Sequence, residues 1–444
     1  MKKIISFFCL IVCSLIWGTT FIAQDTGMDN IGPFTFNSVR FFVGFLAVLP
    51  FVFLFTFGMA FGQSSTVSGK ATFTYETNKQ VIPVALQTTD NNLSIIVKRA
   101  FRLHGGFKVV SDNTARYVLR FEGRGSNSIR LGILPTGSGS PESFPVQGAD
   151  LQQAALFAAD TAVERLTKRP GFFAGRIVFV THQGKIRELY TSDLFFKGYQ
   201  KLTSHRHQVI SPDWSPDGSR ILYSSNHKGG MDILMLDVAS RVPRAIASYR
   251  GSNLGATFDP YGRRAAMILN RELFINDSIL NPKNKPRRLT HNKSSETSPS
   301  WSGDGRRMII SSDIKGGAQL FEVYLSGSNR GRLRHIPTNI SRECTEPAWN
   351  PTDPNILAFT ASIGGRSQIV IYDFTTKKSR QLSSNTNDEG SSWTNDGRHL
   401  VFAALKGGSH QLQVLDTVTN KRTDLHTSTS SFSSPDFVYP RRTR

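Results

Sequence analysis

The sequence predicts a mainly β protein, a six-bladed β-propeller preceded by a small α/β domain, on three observations. A tryptophan or phenylalanine returns every 43 to 48 residues through the last half of the chain, at Trp214, Phe258, Trp301, Trp349, Trp393 and Phe437. Each stands just ahead of a turn, in flanks such as SPDWSPDGSR, SPSWSGDGRR and GSSWTNDGRH. Residues 70–170 carry no such repeat and mix helical with strand spacing. A repeat of this length made of short strands marks a propeller with one four-stranded blade per repeat. The expected division is an apolar N-terminal region over 1–62, the α/β domain over 63–170 and the propeller over 171–444.

The N-terminal region does not read as one element. Residues 4–23 and 41–62 are free of charge, and each is long enough to cross a bilayer. Lys2 and Lys3 place the N-terminal side of the first segment in the cytoplasm, and Arg40 asks the same of the second. Two consecutive spans cannot both obey. The second segment alone reads as a secretory signal, with Arg40 ahead, an apolar run from Phe41 to Phe57, and the small-x-small site Ala60-Phe61-Gly62 before Gln63. Export to the periplasm with a mature chain from near Gln63 is therefore expected, with a two-helix anchor as the alternative.

Residues 92–103 (NLSIIVKRAFRL) space apolar side chains as a helix does and stop at Gly105-Gly106. FKVV (107–110), YVLRFEG (117–123) and SIRLGIL (128–134) read as strands, and 135–148 (PTGSGSPESFPVQG) as a flexible loop. Asp150 caps a helix from Leu151 to Lys168 with one apolar stripe. Nothing in this domain has catalytic spacing.

In each later repeat an inner strand carries the aromatic and ends at a turn such as Asp217-Gly218, Asp304-Gly305 or Asp396-Gly397, where glycine supplies a positive φ. Residues 176–203 supply three strands with no aromatic station before them, and 434–439 supply an inner strand with nothing after it. Together they make one blade, so the C-terminal strand closes the ring against the strand at Arg176 and leaves no open sheet edge. The six aromatics are expected to pack between blades.

The chain carries a net charge of +20, and residues 1–62 contribute only Lys2, Lys3, Asp25, Asp29 and Arg40 to the balance. Such an excess favours anionic partners (nucleic acid, lipid headgroups or acidic proteins), or simply a solvated basic surface. Cys9 and Cys13 lie in the apolar region, which leaves Cys344 without an intrachain disulfide partner in the rest of the chain.

No G-x-S-x-G elbow, H-E-x-x-H run or Walker loop occurs. His205-Arg206-His207 is weak as a metal pair, so neither metal nor cofactor is expected. Glu343, Glu346 and Asp388 read as solvated or partner-facing carboxylates rather than general acids. Arg220, Arg263, Arg264, Arg306, Arg307 and Arg398 follow the inner-strand turns and would ring one rim. The loops leading into the inner strands lie on the opposite face and converge on the channel, a platform the size of a protein–protein patch.

The repeats SPDWSPDGSRILYSS, SPSWSGDGRRMIISS and EPAWNPTDPNILAFT, with the junction ALFAADTAVERLTKRPGFFAGRIVFV (155–180), resemble the TolB family over about residues 70–440. Residues 15–50 resemble the opening of an EamA-type drug/metabolite transporter, which points to a misassigned start or a gene fusion. The TolB resemblance implies a non-enzymatic periplasmic component of the Tol-Pal envelope system that acts as a monomer and does not bind nucleic acid. It implies docking of the peptidoglycan-associated lipoprotein Pal on one propeller face and contact with inner-membrane Tol proteins through the N-terminal side. Such a protein supports outer-membrane integrity and cell division. In the family a Thr-Glu-Pro run ahead of an inner-strand aromatic lies in the Pal face. That role carries to Thr345 and Glu346, with Glu296, Thr297 and His207 as equivalent loop positions. The rival reading is a periplasmic propeller enzyme or binding protein acting on a glycan or peptide in the funnel.

Overall fold

The computed structural model describes residues 81–439 apart from 205, 227, 228 and 385, and residues from Tyr75 onward form one compact unit. The N-terminal segments 4–23 and 41–62 lie outside the described residues. Among those described, no helix is long and apolar enough to cross a membrane.

The first layer is a five-stranded sheet ordered β2-β1-β3-β4-β5, built from β1 (Ile82–Thr88), β2 (Phe107–Val109), β3 (Tyr117–Gly123), β4 (Ser128–Pro135) and β5 (Glu142–Gln147). Strand β1 runs parallel to both β2 and β3, and the remaining pairs are antiparallel. Helices α1 (Asn91–Leu103) and α2 (Leu151–Thr167) pack on each other and on the sheet. Each begins at an aspartate whose carboxylate accepts a first-turn N–H: Asp90 from Leu93 and Asp150 from Gln153, both at 2.8 Å.

Two expectations for this layer need correction. Residues 142–147, read as part of a flexible loop, form the edge strand β5; Pro145 is tolerated there because an edge strand can spare an N–H. The Gly105-Gly106 pair is not a left-handed helix stop, since α1 ends at His104 in an extended conformation. These glycines exist for proximity. A Cβ on Gly105 would stand 2.2 Å from Asp416 Oδ2, and one on Gly106 2.9 Å from an Arg398 nitrogen.

Six four-stranded sheets follow among the described residues. Blade 1 joins the C-terminal strand Ser431–Val438 to Arg176–Gln183, Ile186–Asp193 and Gln200–Lys201, with Phe437 opposite Ile177 and Val438 opposite Arg176. The closure read from the two chain ends is thus observed. Blades 2 to 6 start at the inner strands Val209–Trp214, Asn253–Phe258, Glu296–Trp301, Cys344–Trp349 and Asp388–Trp393.

All six station aromatics are buried, between 5% and 8% exposed. Trp214 packs among Val178, Val180 and Leu189 of blade 1 and Ile221 and Tyr223 of its own blade. Three stations carry a guanidinium from the preceding blade on the ring face: Arg176 over Trp214, Arg264 over Trp301 and Arg307 over Trp349, at 4.5 to 5.2 Å. The arginines expected to ring a rim are therefore largely engaged. Arg264 and Arg307 lie on tryptophans and Arg398 is buried, while Arg263 and Arg306 are exposed.

The α/β layer is fastened to the propeller at the end where the inner strands finish. The Asp160 carboxylate on α2 accepts the N–H groups of Phe173 (2.7 Å) and Ala174 (3.0 Å) and the Tyr439 hydroxyl (2.8 Å). Asn395, in the blade 6 turn, donates to the Gly171 carbonyl, and Arg99 on α1 donates to that of Leu425.

Replacing the inter-blade wedge Trp393 with alanine should destabilise the protein by about 3–5 kcal/mol in denaturant unfolding, because the ring cannot collapse around the void. A loss below about 1 kcal/mol would mean the neighbouring blades do not bear on that ring.

Candidate functional site: the channel and its mouth

The inner strands bound a channel cavity of about 570 Å³. Every inner strand carries a β-bulge at the same place. There Ser211, Gly255, Ser298, Glu346, Gly390 and Ser434 take left-handed conformations, with φ from 47° to 62°. Glycine takes this conformation freely, whereas the three serines and Glu346 carry a Cβ that resists it. Glu346 is the one charged residue among them, and its contacts hold it there. Its carboxylate accepts the Gly390 N–H at 2.8 Å and the Thr360 hydroxyl at 2.7 Å, tying blade 5 to blade 6 at the channel wall.

Beside it, between the same two blades, a cavity of about 300 Å³ opens at the end where the inner strands begin. Glu343, Thr345, Thr360, Glu389 and His410 line it, with no lysine or arginine among the lining residues. Burial, and then the nearby Glu346 charge, push the Glu389 carboxyl above its ordinary range; His410 Nε2 stands 3.8 Å from it. This mouth lies at the opposite end of the inner strands from the α/β layer.

The remaining candidates are placed differently. Thr345 is half-buried at the mouth, and Thr297 and His207 are exposed. The His207 carbonyl accepts the Arg187 N–H, and its neighbour His205 lies outside the described residues. Glu296 is 1% exposed, and its carboxylate accepts the Leu273 N–H (2.8 Å), the Thr290 hydroxyl (2.5 Å) and the Asn292 amide (2.6 Å); burial raises its pKa. Asp388, expected to be solvated or partner-facing, is instead fully buried and held by Arg422 through two bonds of 3.0 Å. Sequence reading missed Glu389. It also missed the carboxylates two residues beyond the bulge, whose alternation along the inner strand gave the available signal.

Those carboxylates are Asp213 in blade 2 and Asp436 in the closing strand. Asp436 accepts the Trp214 N–H (2.7 Å) and the Ser392 hydroxyl (2.7 Å), so it joins the closing strand to the blades on both sides. Asp213 accepts the Phe258 N–H and the Thr257 hydroxyl, each at 2.8 Å. Burial raises the Asp436 carboxyl to about 6, and burial reinforced by the Asp436 charge lifts Asp213 well above its ordinary range. The pair therefore holds a proton that the unfolded chain has already released. Its stabilisation is fully present below about pH 4 and is lost as the pH rises through about 6. Asp436→Asn keeps an acceptor for Trp214 and offers Ser392 a donor. It should weaken that dependence, leaving the part owed to the burial of Asp213, and raise stability at about pH 7.5 by about 1–3 kcal/mol, as read from melting across pH. An unchanged pH profile would contradict the raised Asp436 carboxyl.

The profile described as TolB beta propeller domain matches residues 163–438, and the one described as EamA-like transporter family matches 4–69. The chain is 28% identical over 182 residues to the Tol-Pal system protein TolB of Bordetella pertussis, covering 40% of this chain and 42% of that protein. It is 31% identical over 209 residues to the protein of the same name from Nitrosomonas europaea, covering 40% and 48%. These alignments span less than half of the relatives' length. The crystal structure of TolB from Acinetobacter baumannii superposes with a TM-score of 0.70 at 20% identity, over 81% of this chain and 96% of that one, which establishes a shared fold. With the propeller profile covering more than half of its residues, the chain belongs to the TolB β-propeller family.

Proposed function

We propose that the protein is a non-enzymatic periplasmic adaptor of the Tol-Pal system that receives the peptidoglycan-associated lipoprotein at the channel mouth. The observation that carries this reading is the mouth between blades 5 and 6. It is a concave surface of carboxylates and hydroxyls on the first three strands of blades 5 and 6 and their connections, facing away from the end that the α/β layer occupies. Sites of this kind suit protein docking, in which polar groups set register and a few anchors fill pockets. Thr345, Glu346 and Glu389 are the residues assigned to it, with Thr297 on the blade 4 inner strand and His207 on the segment entering blade 2 as peripheral contacts. Contact with inner-membrane Tol proteins falls to the N-terminal side, and a mature chain starting near Gln63 fits export.

The enzyme reading needs a carboxylate cluster free to act in the funnel. Asp213 and Asp436 are the channel carboxylates closest to that requirement, and both are spent on backbone N–H groups of the next blade. Their arrangement suits closing the ring.

Glu346 is a poor target for testing docking alone, because it also braces Gly390. Thr345→Arg is the better probe, since it fills the mouth from a side chain that joins no inter-blade bond described above. Titrating the full chain against the soluble domain of the lipoprotein should show at least about a tenfold loss for Thr345→Arg with melting temperature unchanged. Undiminished binding would remove the mouth from the interface.

A further inference from the structure

The buried cluster between α1 and blade 6 serves neither the channel nor its mouth. His104 ends α1; Asp396, Arg398 and His399 follow the blade 6 inner strand; Asp416 ends that blade's third strand. All five are at least nine-tenths buried, and Phe172 of the connecting segment lies against the His399 ring at 4.5 Å.

Spacing alone suggests a metal, because ligand atoms of His104, His399 and Asp416 lie within 4.8 Å of one another. The hydrogen bonds argue otherwise. His104 Nδ1 accepts the Gly106 N–H at 3.0 Å, which occupies the one lone pair of a neutral imidazole. Asp416 Oδ2 takes two bonds from Arg398, at 3.0 and 2.8 Å. A divalent ion would also leave the cluster with excess positive charge, whereas two carboxylates balance Arg398 and one imidazolium.

His399 has two competing partners at one atom. Its Nδ1 donates to Asp396 Oδ2 at 2.6 Å. Its Nε2 faces the Gly105 N–H of the α/β layer at 3.4 Å and Asp416 Oδ2 of the propeller at 3.4 Å. A lone pair on Nε2 satisfies Gly105 and opposes Asp416; a proton on Nε2 does the reverse. We propose that His399 is a proton-operated latch between the two layers: neutral, it accepts the Gly105 N–H and holds the α/β layer; charged, it turns Nε2 to Asp416 and releases Gly105.

The surrounding charges make this titration local to His399. Burial lowers its pKa, but the Asp396 and Asp416 carboxylates outweigh burial and hold it above the ordinary histidine range. Burial, and then the His399 charge, keep His104 well below that range, so it stays neutral. Of the more distant cations, Lys421 feels Asp416 and Arg102, and burial lowers its own pKa. The two readouts of the latch run in opposite directions. Because the His399 pKa is raised on folding, its contribution to global stability is present below about pH 6.5 and is lost as the pH rises through its folded pKa. The Gly105 hydrogen bond strengthens over that same rise.

The test is a titration of the full chain, labelled with ¹⁵N-glycine and ¹³C-histidine, between about pH 5 and pH 9. The His399 ring and the Gly105 amide should shift together, with one midpoint above about pH 6.5, and the amide should move in the direction of a stronger bond as pH rises. His399→Gln should abolish the Gly105 titration, while His104→Gln should leave it in place. A Gly105 amide that stays still while the ring titrates, or a ring that does not titrate in this range, would overturn the proposal. Both outcomes are readable in the wild-type protein even if a variant does not fold.

Discussion

A propeller sheet exposes unpaired N–H and C=O groups until its last strand meets its first, so every blade here depends on the pairing of Ser431–Val438 with Arg176–Gln183. Two features make that pairing specific. Backbone register sets Phe437 against Ile177, and the Asp436 side chain reaches both flanking blades through Trp214 and Ser392. The closing strand is thereby fixed along its hydrogen-bonded edge and from the channel side. Tyr439, one residue past the strand, then donates to Asp160 on α2, so the tether that follows ring closure also engages the α/β layer. Closure and docking of the two layers are consecutive along nine residues of chain, from Ser431 to Tyr439.

How much of this was legible depended on the range of the forces involved. The aromatic stations, the Asp-Gly turns and the split first blade are set by local sequence and by a repeat, so they could be read directly. The helix start at Asp150 is likewise local. The fate of each carboxylate was not legible, because burial is decided by residues far away in the chain. Asp388 meets Arg422, and Glu296 meets Leu273. Both looked like loop acids because polar neighbours surround them in sequence. Strand β5 was hidden for a similar reason: its glycine- and proline-rich approach reads as loop, while its pairing with β4 is a tertiary matter. The left-handed residue of each inner strand was readable only in hindsight, as the position before proline in four of the six blades: Ser211, Ser298, Glu346 and Ser434.

The charge of the chain is distributed by structural use. Arginines at the starts of second strands cover tryptophans of the next blade, where a planar guanidinium adds both area and electrostatic attraction. Others pair with carboxylates on the third strands, as Arg288 does with Glu272 and Arg334 with Glu322. What remains at the mouth between blades 5 and 6 is anionic, on a protein whose total is +20. A local field opposite in sign to the whole molecule biases an approaching partner toward one orientation. A basic surface with an acidic inlet discriminates in a way that a uniformly basic one cannot.

Glu346 is where fold and proposed function meet most closely. A glutamate in a left-handed conformation is strained relative to Gly255 and Gly390 at the equivalent positions, and such strain persists only where surrounding contacts over-determine it. The contacts are the Gly390 N–H, across the seam that forms the mouth, and the Thr360 hydroxyl on the neighbouring strand of blade 5. Glu389, the residue before Gly390, carries the carboxyl whose pKa responds to Glu346. The backbone that Glu346 holds is therefore the backbone that presents Glu389 to solvent. The proposed mouth thus lies on the seam between blades 5 and 6, and blade 6 is one of the blades that the α/β layer contacts.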